Sequence, residues 1–241
     1  MGIFTLCFST LLGALVVQIQ ASDPLARLST KKPEVQKEIV DLMNKLRREV
    51  EPSARNMLEV VWNEEAAQNA ERWANQCSFK HSKEEEREIT RYPCGENLFM
   101  ASYNASWEHA MMSFYNERRD FVYGVGPKTK ASVVGHYTQL AWATSWELGC
   151  AVARCLGKKY EYYYVCQQCP AGNDRSLANF PYKSGDKCGD CPKNCKNGLC
   201  TNPCLVANNF SNCKDLKDYC KISKGIADGC QATCTCENKV F

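Results

Sequence analysis

The chain lacks a large excess of charge and, after its first residues, any long hydrophobic run. Its 241 residues carry 30 Lys and Arg against 27 Asp and Glu, a formal net charge of +3, which is too small to favour nucleic acid as a partner. No later segment has the roughly 20 consecutive apolar residues that a membrane-spanning helix needs. The chain has only 3 histidines and no HExxH spacing, so no local motif demands a metal.

The N-terminus has the features of a secretory signal peptide. Residues 1–21 carry no charged side chain and contain an apolar run that leads to the small residue Ala21. A membrane anchor is the alternative, but two glutamines interrupt the run and leave it too short for a span. Cleavage would remove Cys7 and leave 16 of the 17 cysteines, an even number that suits an oxidised protein. We therefore expect an extracellular protein, and the sequons at Asn104 and Asn209 are glycosylation candidates that agree with export.

The cysteines divide the chain into two unequal parts. Six lie within residues 22–187, and ten crowd into residues 188–241, after a polar linker that contains Pro and Gly. The last 38 residues have little aliphatic content, and a module of fewer than about 40 residues usually needs disulfides to fold. The CxxC pattern at Cys188 and Cys191 is compatible with zinc or thioredoxin chemistry. In a disulfide-rich secreted chain, structural bridges are the better interpretation.

The first part has the patterns of a mixed α and β domain. Residues 33–50 place apolar side chains at helical spacing, and Asn63 and Ser106 are candidate N-caps of two further helices. The tyrosine-rich residues 160–165 predict a strand, and residues 151–153 predict a second one. These elements favour an α+β fold in which helices cover both faces of a sheet.

Several strings resemble signatures of the CAP superfamily, and two of them look like its cysteine-rich secretory protein family in particular. The superfamily strings are CGENL at 94–98, GHYTQLAW at 135–142 and YYVCQQCPAGN at 163–173, and the family strings are FVYGVGP at 121–127 and GLCTNPC at 198–204. The resemblance covers essentially the whole mature chain. Two positions depart from it, Met43 and Gln168, where the family commonly has His and Tyr.

The resemblance implies an α-β-α sandwich over residues 22–187, a disulfide-tied hinge over 188–203, and a small helical cysteine-rich module over 204–241. That module is similar to channel-blocking toxins. Six cysteines alone leave many pairings open, so the pairing is implied by the resemblance and not by the spacing. The implied bridges are Cys77–Cys155, Cys94–Cys169, Cys150–Cys166, Cys188–Cys195, Cys191–Cys200, Cys204–Cys236, Cys213–Cys230 and Cys220–Cys234.

Four residues fall on the positions of the family's central cleft: His81, Glu96, Glu117 and His136. Two neutral imidazoles can hold a divalent ion such as Zn²⁺, and two carboxylates can complete or orient the site. Such an ion would bind weakly and reversibly, and none is required. The alternative is a hydrogen-bond network that only holds the cleft together. A hydrolase would need a nucleophile beside a base, and Ser82 and Ser132 lie near the histidines without a recognisable motif. We therefore expect a protein that is not an enzyme, with a weak metal-dependent hydrolase as the alternative.

Lysines recur every three or four residues in the C-terminal module, around Tyr219: Lys214, Lys217, Lys221 and Lys224. On a helix they would share one face, which is either simply solvated or suited to the acidic vestibule of a cation channel. Proteins of the family that the chain resembles include channel-blocking venom proteins and reproductive-tract proteins that bind sperm, and some relatives bind a sterol. The resemblance thus implies a binding protein that acts on an ion channel or cell-surface protein through residues 204–241. The alternative is a sperm-surface or innate-immune ligand that acts through the large domain.

Overall fold

The computed structural model describes residues 25–210 and 212–241. The expected signal peptide, its Cys7, and Ser211 of the second sequon lie outside the described residues. The helices are α1 (Pro33–Arg48), α2 (Glu64–Ala74), α3 (Trp107–Asn116), α4 (Gly135–Leu140), α5 (Lys224–Gly229) and α6 (Gln231–Thr235). The strands are β1 (Val61–Trp62), β2 (Glu88–Ile89), β3 (Tyr92–Pro93), β4 (Gly95–Ala101), β5 (Phe121–Val122), β6 (Gly126–Pro127), β7 (Glu147–Arg154), β8 (Tyr162–Cys169), β9 (Cys195–Lys196) and β10 (Leu199–Cys200).

A four-stranded sheet in the order β1-β7-β8-β4 forms the middle layer. β8 pairs antiparallel with β7 and β4, and β1 joins β7 in parallel. The remaining strands form three two-stranded hairpins. All 8 residues of β8 are buried, as expected of a strand covered on both faces. β4 is the outer strand on one side, so one of its edges has no neighbouring strand of this sheet.

Helix α2 covers one face of the sheet at very short range. Its buried residues include Ala70 and Ala74, which pack against the sheet. The approach is close because Gly149 of β7 has no side chain. A Cβ atom at this position would lie 2.0 Å from the backbone nitrogen of Ala67.

Helices α1, α3 and α4 contribute to the core on the opposite face, together with the sheet and several connecting segments. Arg47 of α1 is 1% exposed, and its guanidinium donates to the carbonyl oxygens of Leu58, Leu140, Trp142 and Ala143 at 2.8–3.2 Å. Burial lowers the pKa of Arg47 to about 9, and the four carbonyls take the place of a carboxylate partner. Arg47 therefore ties α1 to the chain at Leu58 and to the end of α4 and the residues that follow it.

The predicted α-β-α sandwich is confirmed. The side chains of Asn63 and Ser106 cap α2 and α3 as predicted. Both predicted strands are present. β7 spans Glu147–Arg154 and extends the prediction at both ends, whereas β8 spans Tyr162–Cys169, so it begins two residues later than predicted and continues to Cys169 along the ladder with β7 and β4. β4 and α4 were not predicted as secondary structure, although their residues were noted as motifs.

The structure contains eight disulfides, which join the same pairs that the resemblance implies. Residues 188–203 lie against the large domain. The backbone N–H of Cys200 donates to the carbonyl oxygen of Met57 at 2.7 Å, and the carbonyl oxygen of Cys200 accepts the backbone N–H of Glu59 at 2.8 Å. The carboxylate of Asp190 forms ion pairs with Arg55 at 2.6 Å and with Lys183 at 2.9 Å. The proposed hinge is therefore fixed to the sandwich at several points.

Three disulfides hold together residues 204–241, the C-terminal module. It contains a 3₁₀ helix (Cys213–Tyr219), α5 and α6, and its buried hydrophobic residues are Cys204, Cys213, Cys230, Ala232 and Val240. None of the helices within the described ranges combines the length and apolar character that a membrane span requires.

Candidate functional site

Glu96 and His81 form the first carboxylate–imidazole pair. Glu96 lies on β4, and Nδ1 of His81 lies 2.9 Å from its Oε1. Ser82 donates to the same carboxylate from its backbone nitrogen (2.9 Å) and its hydroxyl (2.7 Å). The side-chain amide of Gln167 on β8 adds a fourth contact at 3.3 Å. Three residues, His81, Ser82 and Gln167, therefore hold the carboxylate.

The two members of this pair differ in exposure. The side chain of Glu96 is 1% exposed and that of His81 is 58% exposed. Burial alone would raise the pKa of Glu96, but the hydrogen bonds from His81 and Ser82 outweigh it, and the net pKa is lowered. An ionised carboxylate thus anchors an imidazole that solvent can reach.

Glu117 and His136 form the second pair. Glu117 directly follows α3, and His136 lies in the first turn of α4. Oε1 of Glu117 lies 2.6 Å from Nδ1 of His136, while Oε2 accepts the backbone N–H groups of His136 (2.9 Å) and Tyr137 (3.1 Å). Phe114 of α3 stacks on the imidazole, with ring centroids 5.3 Å apart. Helix α3 thus positions both Glu117, which directly follows it, and Phe114, and these two side chains hold the imidazole of His136.

The two pairs lie on opposite sides of β4. Neighbouring side chains on a strand point to opposite faces: Glu96 contacts His81 beyond the end of α2, whereas the amide of Asn97 donates to the carbonyl oxygen of His136 at 3.0 Å. A cavity of about 290 Å³ adjoins β4, lined by Leu98, Phe99, Met100, Ser113, Phe114, Glu117, His136 and Tyr160. The second pair belongs to this lining and the first does not.

The donor set fits a divalent cation held by histidine. Both imidazoles direct Nδ1 at a carboxylate, which leaves Nε2 of His81 and of His136 as the nitrogen for a metal. Within residues 25–210 and 212–241, no three of the four cleft residues offer ligand atoms that all lie within 4.8 Å of one another. These four residues therefore do not form a closed structural zinc site, which has four ligands, and a shared ion between His81 and His136 stays a prediction.

A cluster of three sulfur atoms in the hinge is not a metal centre. The Sγ atoms of Cys188, Cys191 and Cys200 lie within 4.8 Å of one another. Cys188 is bonded to Cys195, and Cys191 to Cys200. Cysteine binds metals as the thiolate, so these oxidised sulfurs hold the hinge together and offer no ligand.

The two serines considered as nucleophiles have other partners. The hydroxyl of Ser82 donates to Glu96, and that of Ser132 lies 3.0 Å from the hydroxyl of Thr129. Among the hydrogen bonds of the described ranges, neither hydroxyl contacts an imidazole. A serine nucleophile needs an adjacent base that is available to take its proton, and the carboxylate beside Ser82 is already bound by His81, Gln167 and the Ser82 backbone.

The lysines of the C-terminal module do not share the face of one helix, so that prediction is wrong. Lys214 and Lys217 lie on the 3₁₀ helix, Lys221 lies in the following turn, and Lys224 begins α5. The lysines lie on a 3₁₀ helix, a turn and the start of α5, which the disulfides connect. The hydroxyl of Ser223 accepts the N–H of Ile226 and so begins α5 as a separate helix. All four lysines are exposed, as is Tyr219.

The sequons occupy two different environments. Asn104 is half-buried, and its carbonyl oxygen accepts a hydrogen bond from Arg27. Asn209 is exposed in the C-terminal module.

Three residues around the cleft were not anticipated in these roles: Gln167, Asn97 and Phe114. Asn97 and Gln167 lie inside the motif strings but reach the cleft only through the pairing of β4 with β8, where Glu96 faces Gln167. Phe114 lies on α3 and is buried. Its contact with His136 depends on how α3 packs against α4, which the sequence pattern does not contain.

Comparisons with known proteins agree with this architecture. The pattern described as "Cysteine-rich secretory protein family" matches residues 40–168, and the pattern described as "Crisp" matches residues 188–241. The human protein Cysteine-rich secretory protein 3 is 49% identical over 217 residues, which are 89% of this chain and 88% of the human protein.

Solved structures with the same fold include two related proteins. Na-ASP-1 is 30% identical with a TM-score of 0.60, and the match covers 70% of this chain but only 47% of Na-ASP-1. NaASP2, solved with Zn²⁺, is 29% identical with a TM-score of 0.59, and the match covers 70% of this chain and 96% of that protein. The α-β-α sandwich and the disulfide-rich C-terminal segment agree with these matches. The chain therefore belongs to the cysteine-rich secretory protein family.

Proposed function

We propose that the protein is secreted and modulates an ion channel, or another cell-surface protein, through its C-terminal module, residues 204–241. The observation that carries this proposal is an exposed turn in which the apolar side chains of Tyr219 and Ile222 lie close in the chain to Lys217 and Lys221. Membership of the family and the match of residues 188–241 to the Crisp pattern support it.

The turn presents two large apolar side chains to solvent. The backbone N–H groups of Ile222 and Ser223 donate to the carbonyl of Tyr219 at 3.1 and 2.9 Å. Tyr219 is 51% exposed and Ile222 is 77% exposed. Cys220, between them, is bonded to Cys234, so little conformational entropy would be lost on docking. Exposed aromatic anchors on a rigid support are typical of binding hot spots.

The lysines beside this turn are free to interact with a partner. Neither Lys217 nor Lys221 takes part in an ion pair formed within residues 25–210 and 212–241. Unpaired cations around an apolar anchor complement the acidic entrance of a cation channel and speed the encounter with it.

The disulfides support export to an oxidising compartment. All 16 cysteines that follow the expected signal peptide take part in bridges, which a reducing cytosol would not maintain. The contacts of Ser82 and Ser132 support action by binding and not by catalysis.

A divalent cation such as Zn²⁺ is the proposed ligand of the large domain. His81 and His136 would hold it through Nε2, while Glu96 and Glu117 fix the two rings. Two protein ligands favour weak, reversible binding, and the relative NaASP2 was solved with Zn²⁺.

A second candidate function is a cell-surface ligand that acts through the large domain. The β5–β6 hairpin favours it, because its tip exposes Val122 and Val125, which are 40% and 68% exposed. The backbone N–H of Val125 donates to the carbonyl of Val122 at 3.0 Å, so the two side chains belong to one tight turn.

The test is electrophysiology with the whole secreted protein on cells that each express one potassium, calcium or cyclic-nucleotide-gated channel. We expect a reversible change in at least one current. The double variant Tyr219→Ala, Ile222→Ala should raise the half-effective concentration at least about tenfold. Lys239→Ala, at an exposed lysine of the same module, is the matched control and should change nothing. A current change that survives the double variant but is lost with Val122→Ser, Val125→Ser would favour the second candidate.

A further inference from the structure

Four cysteines of the hinge form two bridges whose sulfur atoms lie next to each other. Cys188 is bonded to Cys195, and Cys191 is bonded to Cys200. The Sγ atoms of Cys188, Cys191 and Cys200 all lie within 4.8 Å of one another. In the part of the chain that the structure describes, no other three cysteine sulfurs cluster as closely. One sulfur of the first bridge is therefore close to both sulfurs of the second.

Cys188 and Cys191, which belong to different bridges, close one tight turn. The backbone N–H of Cys191 donates to the carbonyl oxygen of Cys188 at 2.9 Å, which is the hydrogen bond of a β-turn of four residues. The Cα atoms at the two ends of such a turn lie less than about 7 Å apart, and a disulfide spans about 4.4–6.8 Å between Cα atoms. The turn thus brings these two cysteines to a distance that a bridge of their own can span.

Cys195 and Cys200, the remaining two cysteines, lie directly across the β9–β10 hairpin. They are register partners in this antiparallel pair. The backbone N–H of Cys200 donates to Met57, and its carbonyl oxygen accepts from Glu59, so both groups point away from Cys195. Facing residues that exchange no backbone hydrogen bonds have Cα atoms about 4.5 Å apart, which is the closest spacing in an antiparallel pair. These two cysteines are therefore also placed for a bridge to each other.

The protein already contains a bridge of this second kind. Cys150 and Cys166 are register partners in the antiparallel strands β7 and β8, and they are bonded to each other with Cα atoms 4.1 Å apart. A bridge between Cys195 and Cys200 would have the same position relative to its two strands. The pairing Cys188–Cys191 with Cys195–Cys200 thus suits the turn and the hairpin that the hinge already forms.

The hinge sulfurs differ in their access to solvent. Cys195 is exposed, whereas Cys188, Cys191 and Cys200 are 5%, 2% and 1% exposed. Lys193, two residues before Cys195 in the chain, is also exposed, and positive charge near a disulfide attracts an anionic thiolate. An external thiolate can therefore attack the Cys188–Cys195 bridge at Cys195, and this attack releases Cys188 as the thiolate.

We propose that the hinge exchanges its disulfides when a small thiol such as glutathione attacks Cys195. In the first step the glutathione thiolate bonds to Sγ of Cys195, and the bond from Cys195 to Cys188 breaks. The thiolate of Cys188 then attacks Sγ of Cys191, which forms Cys188–Cys191 and releases Cys200 as the thiolate. Finally Cys200 attacks Sγ of Cys195, which forms Cys195–Cys200 and returns the glutathione thiolate. Both bridges are restored in number, so nothing is oxidised or reduced overall and the thiol acts as a catalyst.

The exchange changes which segments the bridges connect. In the observed pairing both bridges join residues 188–191 to residues 195–200. In the exchanged pairing one bridge lies within the turn and the other within the hairpin, so only the backbone links the two segments covalently. The hairpin keeps its backbone hydrogen bonds to Met57 and Glu59. An external thiol would therefore loosen the connection between the sandwich and the C-terminal module without unfolding either of them.

The test maps the bridges of the full-length secreted protein after incubation with glutathione at about pH 8, where part of the thiol is ionised. Glutathione stays below the protein concentration, so little net reduction is possible. N-ethylmaleimide then blocks all thiols, and trypsin digests the unreduced protein. Trypsin cleaves after Lys187, Lys193 and Lys196, which leaves Cys188 and Cys191 together on peptide 188–193. This peptide is cross-linked to two others in the observed pairing and is released, with an internal bridge, in the exchanged pairing.

We expect mass spectrometry to find released peptide 188–193 without a loss of total disulfide. About tenfold more glutathione should raise the rate of its appearance about tenfold and leave its final share unchanged, because a catalyst changes only the rate. Hydrogen exchange of the backbone amides of residues 188–194 should become faster over the same period. That of β7 and β8 should not change.

A variant isolates the internal step without added thiol. Cys195→Ser leaves Cys188 with a free thiol beside the Cys191–Cys200 bridge. We expect alkylation followed by mass analysis to find part of the free thiol on Cys200, because the thiolate of Cys188 displaces it from Cys191.

The matched control is Cys155→Ser, which leaves Cys77 with a free thiol in the sandwich. Cys77 belongs to no cluster of three cysteine sulfurs within the described ranges, so its thiol should stay on Cys77.

Three results would overturn the proposal. The first is unmodified protein in which peptide 188–193 stays cross-linked at every glutathione concentration while all its bridges remain. The second is a Cys195→Ser variant whose free thiol stays on Cys188 alone. The third is fragmentation of the cross-linked peptides that shows Cys188 bonded to Cys200, because the turn and the hairpin would then not determine the new partners.

Discussion

The large domain and the C-terminal module are stabilised by different means. The large domain buries whole aromatic and aliphatic side chains, among them Trp107, Tyr163 and Ile39, on both faces of a sheet. The C-terminal module has few buried hydrophobic residues beyond its cysteines, Ala232 and Val240. Apolar burial supplies most of the folding free energy of the first region. In the second, the bridges reduce the entropy of the unfolded chain instead.

Because of this difference, one disulfide should contribute differently to the stability of each region. Cys150–Cys166 crosses between the paired strands β7 and β8, and the two cysteines face each other in the ladder. Cys213–Cys230 joins the 3₁₀ helix to the end of α5. The sequence separations are 16 and 17 residues, so the two bridges are a matched pair with respect to loop length.

The largest effect is expected from removing one bridge in each region. The chain-entropy estimate for either loop is the same, about 3 kcal/mol. With Cys150→Ala, Cys166→Ala, the sheet should persist at a lower melting temperature, because its ladder and core remain. With Cys213→Ala, Cys230→Ala, the C-terminal module should unfold at room temperature while the large domain stays intact. Hydrogen exchange followed by mass spectrometry on peptides from each region measures both outcomes.

The comparison fails if the two variants behave alike. Protected amides throughout residues 204–241 after loss of Cys213–Cys230 would mean that packing, and not sulfur, holds the module. General loss of protection in β7 and β8 after removal of Cys150–Cys166 would mean that the sandwich also depends on its bridges.

The next effect, at most comparable with the loss of one bridge, is expected from adding a methyl group at two glycines. At Gly149 the new Cβ would lie 2.0 Å from the backbone of α2, which cannot move without disturbing the core. At Gly229 the nearest atom belongs to the ring of Phe210, which is half-exposed and can turn away. Gly149→Ala should therefore lower the free energy of unfolding by about 3 kcal/mol, the upper end of overpacking costs. Gly229→Ala should lower it by less than about 1 kcal/mol.

Denaturant titration gives both free energies, with near-ultraviolet circular dichroism to report on each region. Equal losses would show that the C-terminal module is packed as tightly as the sandwich.

The fold of the large domain was largely predictable from its sequence. Asn63 and Ser106 cap helices because their side chains satisfy free backbone N–H groups, and the tyrosine-rich strand reflects burial on both faces. The C-terminal module was not predictable in this way. The repeat of lysines at Lys214, Lys217 and Lys221 matches helical spacing, but disulfides on either side force the backbone into short 3₁₀ and turn segments.

The candidate cleft was only partly predictable. His81, Glu96, Glu117 and His136 came from a resemblance to known proteins, because no local spacing connects residues so far apart. The division into two pairs depends on the alternation along β4 and on the packing of α3 against α4. Both are properties of the tertiary structure.

The smallest expected effect is a pH dependence confined to the large domain. The pKa of Glu96 is lowered in the folded protein, so its ionised form stabilises the fold. This contribution is fully present above the unfolded value of about 4.3 and is lost as the pH falls through the folded pKa. Glu96→Gln should therefore cost about 1–2 kcal/mol at neutral pH, and the difference from the unmodified protein should shrink in acid.

Denaturant midpoints measured from about pH 6 down to about pH 3 test this linkage. Glu237→Gln removes an exposed carboxylate of the C-terminal module and serves as the matched control, whose titration should follow the unmodified protein. The pH-dependent change in midpoint should appear in the large domain alone, because the disulfides that hold the C-terminal module do not titrate. A constant gap between Glu96→Gln and the unmodified protein at every pH would mean that the carboxylate acts through its shape and hydrogen bonds. Its charge would then not be what stabilises this side of the sandwich.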